Sequence, residues 1–126
     1  MQPKRLLMVD DDAAMGDFVR AVAEPLGYKV ETCVDARGFM AAIDDGDPDV
    51  VILDLVMPGT DGIELIHYLS RRQSRARVFI MSGFDPVHLR MGKTLGDAAG
   101  LTMAGIIPKP VRANELRRIL SKFSGG

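Results

Sequence analysis

The sequence predicts an α/β domain in which a parallel sheet is covered by helices on both faces. Three observations predict it. Four short apolar runs, Leu6-Leu7-Met8-Val9, Val50-Val51-Ile52-Leu53, Val78-Phe79-Ile80-Met81 and Met103-Ala104-Gly105-Ile106-Ile107, are too short for helices and do not alternate. Such runs fit strands buried on both faces, the habit of parallel sheets. Between them, apolar residues recur at three- and four-residue steps, as they do in amphipathic helices. Strand and helix therefore alternate five times, which right-handed crossovers wind into a doubly wound domain. The 126 residues suffice for one domain, spanning 1–126. A chain of that size buries about two-thirds of its unfolded surface.

Each element follows in order. The first strand is Leu6 to Val9. Met15, Phe18, Val19, Val22 and Leu26 then place a helix, with Asp12 as its N-cap and Gly27 as its stop. Tyr28 to Val34 alternates, Val30 and Thr32 against Lys29 and Glu31, like a half-exposed edge strand. A weaker helix over residues 36–45 carries Phe39, Met40 and Ile43 and ends at Asp45-Gly46-Asp47-Pro48. After the second buried run, Thr60-Asp61 opens a helix with Ile63, Ile66 and Leu69, closed by Arg71-Arg72. Asp85-Pro86 starts a fourth helix whose stripe, Val87, Met91, Leu95 and Ala98, is of the kind that packs on a core. Leu116, Ile119, Leu120 and Phe123 make the last helix.

Composition excludes several classes of function. Sixteen Lys+Arg against 17 Asp+Glu leave no basic excess for direct nucleic-acid binding. A single cysteine, Cys33, excludes an internal disulfide framework and a multi-cysteine metal site, and suits the cytoplasm. It reads as packed rather than reactive, and His67 and His88 read as exposed. No apolar run approaches the ~18 residues of a membrane span, so no membrane association is expected. Met1-Gln2-Pro3-Lys4-Arg5 leads into too short an apolar run for a signal peptide. The acids themselves are uneven. Thirteen of the 17 are Asp, three of them consecutive at 10 to 12.

Chemistry gathers where the strands end. In a parallel sheet the C-terminal ends of all strands line one edge, where ligands of open α/β folds bind. The first run ends in Asp10-Asp11-Asp12, the second in Asp54, the third in Ser82, and the last, after Pro108, in Lys109. Clustered carboxylates repel and are stable together with a cation; oxygen ligands select a hard one such as Mg²⁺. With a lysine, that cation would neutralise the oxygens of an incoming phosphoryl group. Ser82 would hydrogen-bond a phosphoryl oxygen and Asp54 would be the nucleophile.

Val9-Asp10-Asp11-Asp12, Asp54-Leu55-Val56-Met57-Pro58-Gly59-Thr60-Asp61-Gly62, Met81-Ser82-Gly83 and Lys109-Pro110 together resemble the response-regulator receiver domain of two-component signalling. The resemblance covers nearly the whole chain. It implies a flavodoxin-like, five-stranded parallel sheet of order 2-1-3-4-5 with five helices. It implies Asp54 as acceptor of a phosphoryl group from a sensor histidine kinase or a histidine phosphotransfer protein. Asp11 and Asp54 would ligate Mg²⁺ directly, Asp10 mostly through water, and the Val56 carbonyl would complete the protein ligands. Ser82 and Lys109 would be the switch hydroxyl and the phosphoryl-binding lysine, with Pro110 after a cis peptide bond. The chain would be a signalling module, not an enzyme, acting through a downstream output protein or a missing output domain, with dimer formation open to it. The face of the fourth helix, fifth strand and fifth helix, with His88, Arg90, Arg112 and Arg117, would make the output contact.

Three positions depart from the family pattern. Ile106 stands where an aromatic residue is usual, three before the lysine. Val56 and Phe84 flank the position of the hydrolytic water, and neither can orient it, so slow self-dephosphorylation is expected. The stretch from Ser82 to Lys109 is several residues longer than usual. There, Ser82-Gly83-Phe84-Asp85, Gly100-Leu101…Ala104-Gly105 and Pro108-Lys109-Pro110 resemble receivers attached to EAL phosphodiesterase domains. The alternatives are a haloacid-dehalogenase-like phosphohydrolase, whose Asp-x-Asp-x-Thr motif is not matched at Asp10-Asp11-Asp12-Ala13-Ala14, and a pseudo-receiver that works unphosphorylated.

Overall fold

The computed structural model describes residues 3–57, 59–83 and 86–123, and only the backbone at 60, 61, 86, 88 and 89. The expectations placed on Phe84, on Asp85 and on the side chains of Asp61 and His88 lie outside the described residues. The sheet strands are β1 (Arg5–Val9), β2 (Lys29–Cys33), β3 (Val50–Asp54), β4 (Arg77–Ser82) and β5 (Thr102–Pro108). The helices are α1 (Ala13–Ala23), α2 (Ala36–Asp45), α3 (Gly62–Arg71), α4 (Pro86–Ala98) and α5 (Ala113–Ser121). All pairings within the sheet are parallel and the order is β2-β1-β3-β4-β5, as expected. A two-residue antiparallel ladder, Val56–Met57 against Thr60–Asp61, was not anticipated; it tightens the loop between β3 and α3.

The unbroken apolar runs follow from burial on two sides. Successive residues of a strand point to opposite faces. Leu6, Met8, Ile52, Phe79 and Met81 meet Val19, Val22, Leu116 and Leu120 of α1 and α5. Leu7, Val9, Leu53 and Ile80 face the other way, onto Phe39, Leu65, Ile66 and Leu69 of α2 and α3. The edge strand β2 keeps the expected alternation, with Val30 buried between exposed Lys29 and Glu31. Tyr28, just before it, is buried and donates its hydroxyl to the Leu120 carbonyl at 2.7 Å, tying β2 to the end of α5.

Local signals set the helix boundaries. The Asp12 carboxylate accepts from the Ala14 N–H at 3.0 Å, capping α1 as its position before the apolar stripe implies. Beyond α1, a single 3₁₀ turn (Glu24–Leu26) ends at Gly27, whose φ of 98° is the left-handed stop that favours glycine. Asp35 caps α2 through the Gly38 N–H at 2.8 Å, a cap the sequence reading passed over. Asp44 lies inside α2, as the helix over residues 36–45 implies, and Tyr68 and Arg72 of the α3 region both donate to it. Asp47 does serve the turn, accepting from Ser74 Oγ at 2.6 Å and from the Arg75 N–H at 2.8 Å. Among the described residues, no helix is long and apolar enough to cross a membrane.

Helix α4 departs from expectation. Its apolar stripe faces outward: Val87 and Met91 are each 56% exposed. What faces the sheet is glycine. A Cβ on Gly92 would lie 2.8 Å from Leu55 Cδ1 and 2.9 Å from Ile80 Cδ1, and one on Gly96 would collide with the Met103 sulfur. At these two positions the helix comes down so close that no side chain fits beneath it. Apolar spacing marked the helix correctly, but glycine, having no side chain, carries no weight in such a pattern. Val87, Met91 and Leu95 consequently line a shallow outward groove of about 350 Å³ with Arg90 and Thr94.

The two kinds of apolar stripe are separable by urea denaturation. Met91→Lys is expected to change stability by no more than about 0.5 kcal/mol. Leu69→Ala, in the buried stripe of α3, is expected to cost about 2–5 kcal/mol.

Candidate functional site

Sheet register brings the expected residues together. Val9 is level with Leu53, so Asp10 and Asp54, each one step further along, stand side by side. Asp54 is level with Met81 and Ser82 with Pro108, which places Ser82 and Lys109 at the same rim. Backbone hydrogen bonds continue the ladder past the strand ends. The N–H of Asp10 donates to the Cys33 carbonyl at 3.1 Å, that of Leu55 to Met81 at 3.3 Å, and that of Lys109 to Ser82 at 3.1 Å. The side chains therefore leave from backbone that is already fixed. The Lys109–Pro110 peptide bond is cis.

Asp10, Asp54 and Ser82 are almost fully buried, at 2%, 2% and 1% exposure. Lys109 Nζ lies 2.8 Å from Asp10 Oδ2 and 3.5 Å from Asp54 Oδ2, bridging the two carboxylates. Their other oxygens are occupied by backbone donors. Asp10 Oδ1 accepts from the Asp12 N–H at 2.9 Å, and Asp54 Oδ1 from the Val56 N–H at 3.1 Å. Asp11 stands exposed at the mouth, and one carboxylate oxygen from each of Asp10, Asp11 and Asp54 falls within a 4.8 Å cluster. These residues, with Asp12, Val56, Ser82, Gly83 and Lys109, line an open cleft of about 330 Å³.

The electrostatics of this group are unbalanced. Burial pushes the Asp54 carboxyl up to about 6, and the charge of Asp10 adds to that. The Val56 N–H and the Lys109 ammonium act in the opposite sense without cancelling it. Burial works against the Lys109 ammonium too, but the Asp10 hydrogen bond and the charges of Asp54 and Asp10 outweigh it and hold Lys109 above its ordinary value. Three carboxylates face one ammonium, so the cluster is two positive charges short when all are ionised. An all-oxygen donor set with that deficit, open to solvent, fits a small hard divalent cation.

One contributor was not read from the sequence. A Cβ on Gly62 would lie 2.7 Å from both Cα and O of Leu55, so α3 begins in direct contact with the backbone that follows Asp54. That contact fixes the loop carrying the Val56 N–H. The signal was present as Gly62 after Asp61, but it reads equally well as an ordinary helix start. Other expectations hold. Ile106 occupies β5 opposite Ile80, half-buried against the α2 and α3 side of the core. Cys33 donates its thiol to the Met8 carbonyl at 3.4 Å, and burial, with Glu31 and Asp35 nearby, pushes it up to about 12. His67 is exposed.

The raised Asp54 carboxyl has a consequence for stability. Folding favours its protonated form, so its contribution is fully present below the ordinary carboxylate value of about 4 and is lost as pH rises through about 6. In Mg²⁺-free buffer, Asp54→Asn should therefore gain on the unsubstituted chain between those pH values, by on the order of 2 kcal/mol. Urea titrations at a series of pH values measure the gap; a gap constant from pH 4 to 7 would refute it.

Comparison with known proteins converges on one family. The profile of the response regulator receiver domain matches residues 6–121. Response regulator MprA of Mycolicibacterium vanbaalenii is 33% identical over 116 residues, covering 90% of this chain and 47% of that protein. The chain thus spans about half the length of the curated relatives it matches. Among solved structures, a response regulator from Colwellia psychrerythraea superimposes with a TM-score of 0.83 at 31% identity, covering 96% of each chain. A CheY-like receiver domain protein from Methanospirillum hungatei gives 0.79 at 26% identity, covering 94% of this chain and 91% of that one.

Proposed function

Because the chain belongs to the response regulator receiver domain family of two-component signalling, we propose that Asp54 accepts a phosphoryl group from a phosphohistidine. The observation that carries this is the buried Asp54 carboxylate beside Asp10, bridged by Lys109 and open to a cleft. An Asp54 oxygen attacks phosphorus while the P–N bond to the donor imidazole breaks. The imidazole keeps the electron pair and takes a proton from solvent. Lys109, displaced from its two carboxylates, pairs with the incoming phosphoryl oxygens. Ser82 donates its hydroxyl to another of them. Asp11, Asp54 and the Val56 carbonyl, with Asp10 beside them, would hold Mg²⁺, which supplies the charge neutralisation that such a transfer requires.

On this reading residues 1–126 form a single receiver domain, and the chain is a signalling module rather than an enzyme, since the phosphoryl group rests on its own Asp54. Its partners are a sensor histidine kinase or histidine phosphotransfer protein, and an output protein or joined output domain, of the EAL phosphodiesterase kind or another. Arg90, Arg112 and Arg117 are exposed along α4 and α5, as an output contact there requires. The near-neutral charge supports output through protein rather than nucleic acid, and the single cysteine supports a cytoplasmic setting.

Incubation with acetyl phosphate and Mg²⁺ should add one phosphoryl group, about 80 Da by mass spectrometry, and Asp54→Asn should abolish the adduct. An adduct that survives the substitution removes Asp54 as the acceptor. Val56 is 37% exposed at the mouth of the cleft and offers no polar atom to a water there. Val56→Asn should accordingly speed phosphate release severalfold; an unchanged release rate would show that this position does not limit hydrolysis.

A further inference from the structure

The residue after the proposed acceptor is held from two sides. Leu55 is buried, its backbone meets Gly62 at the start of α3, and its side chain reaches beneath Gly92 of α4. Ile80, two residues before Ser82 on β4, puts its side chain under the same glycine. The two strands that carry Asp54 and Ser82 therefore each raise one side-chain tip against a single point on α4. The Leu55 N–H also donates to the Met81 carbonyl, so the two tips belong to hydrogen-bonded backbones. Elsewhere along its buried face α4 presents Gly96 to Met103. At Gly92 and Gly96 the helix puts no side chain of its own into the sheet, and its height there is set by what pushes from below.

From this we propose that Leu55 is the positioning residue that couples the phosphoryl state of Asp54 to α4, through the Leu55–Gly92 contact. The inference rests on the receiver reading above. When the charge and volume at Asp54 change, the backbone at 54–56 shifts. Gly62 leaves it no room to retreat towards α3, so the displacement is delivered to the Leu55 side chain and from there to Gly92. Ile106 sits opposite Ile80 and packs in the same core. The outward residues Val87 and Met91 ride on the moving helix, which makes α4 the surface whose position reports the state of the site.

The test is hydrogen–deuterium exchange on the full chain, with and without beryllofluoride and Mg²⁺, alongside the acetyl phosphate adduct measured by mass. In the unsubstituted chain the amides of residues 86–98 should change exchange rate at least severalfold. In Leu55→Ala that change should vanish while the adduct still forms, and Leu55→Met, which refills the space, should restore it. Leu55→Ala also removes buried side-chain volume, so Gly92→Ala reads the same contact from the helix side. Its added methyl should likewise alter the α4 response without preventing the adduct. An adduct that forms while α4 responds equally in Leu55→Ala, or in no variant at all, overturns this inference alone. Absence of any Mg²⁺-dependent adduct on Asp54 overturns the receiver reading, and the inference falls with it.

Discussion

Two carboxylates that water barely reaches, Asp10 and Asp54, are kept together by one ammonium. At about 4 Å a pair of like charges costs roughly 4 kcal/mol at an effective dielectric constant near 20, so the two acids would not share this space unaided. Lys109 sits 2.8 Å from one and 3.5 Å from the other and offsets part of that repulsion. It does not finish the task, because Asp11 adds a third negative charge at the mouth. The apo site is therefore poised rather than satisfied. Burial first, and then the charge of Asp10, hold the Asp54 carboxyl near 6.

The rest of the architecture exists to enforce this contact. Parallel register places β1, β3, β4 and β5 so that their carboxyl ends are level, and the two hydrophobic faces hold that register by burying every residue of β3. A slip of one residue would turn Leu53 and Ile52 to the wrong faces and lose both layers of packing, so the core protects the site indirectly. Closer in, the approach of Gly62 to Leu55 fixes the loop that brings the Val56 N–H to Asp54. Stability and chemistry are in this sense one arrangement seen at two distances.

The fold was largely legible because burial on two sides leaves continuous apolar runs, and because the site residues follow those runs directly. Asp10, Asp54, Ser82 and Lys109 could each be placed at the rim from strand ends alone. Helix α4 was misjudged for a physical reason. Its contact with the sheet is made by Gly92 and Gly96, and a pattern built on side chains cannot register a surface whose function is to lack them. The small ladder at Val56–Met57 escaped for a related reason, since two-residue strands carry no periodicity. The partners of Asp44 left no local signal, since Tyr68 and Arg72 lie more than twenty residues away.

The last helix carries a further implication, for synthesis. One face of the sheet, formed by Leu6, Met8, Ile52, Phe79 and Met81, is closed jointly by α1 and by Leu116 and Leu120 of α5. Phe123, just beyond α5, stacks edge-on against Phe79, with the Arg77 guanidinium over its ring. Without those residues that apolar face lacks its α5 cover, and Tyr28 has no carbonyl to receive its hydroxyl. A nascent domain still lacking α5 thus exposes an apolar, strand-rich surface. The same few residues that close this face also anchor the far edge strand, so the integrity of both depends on the last helix of the domain.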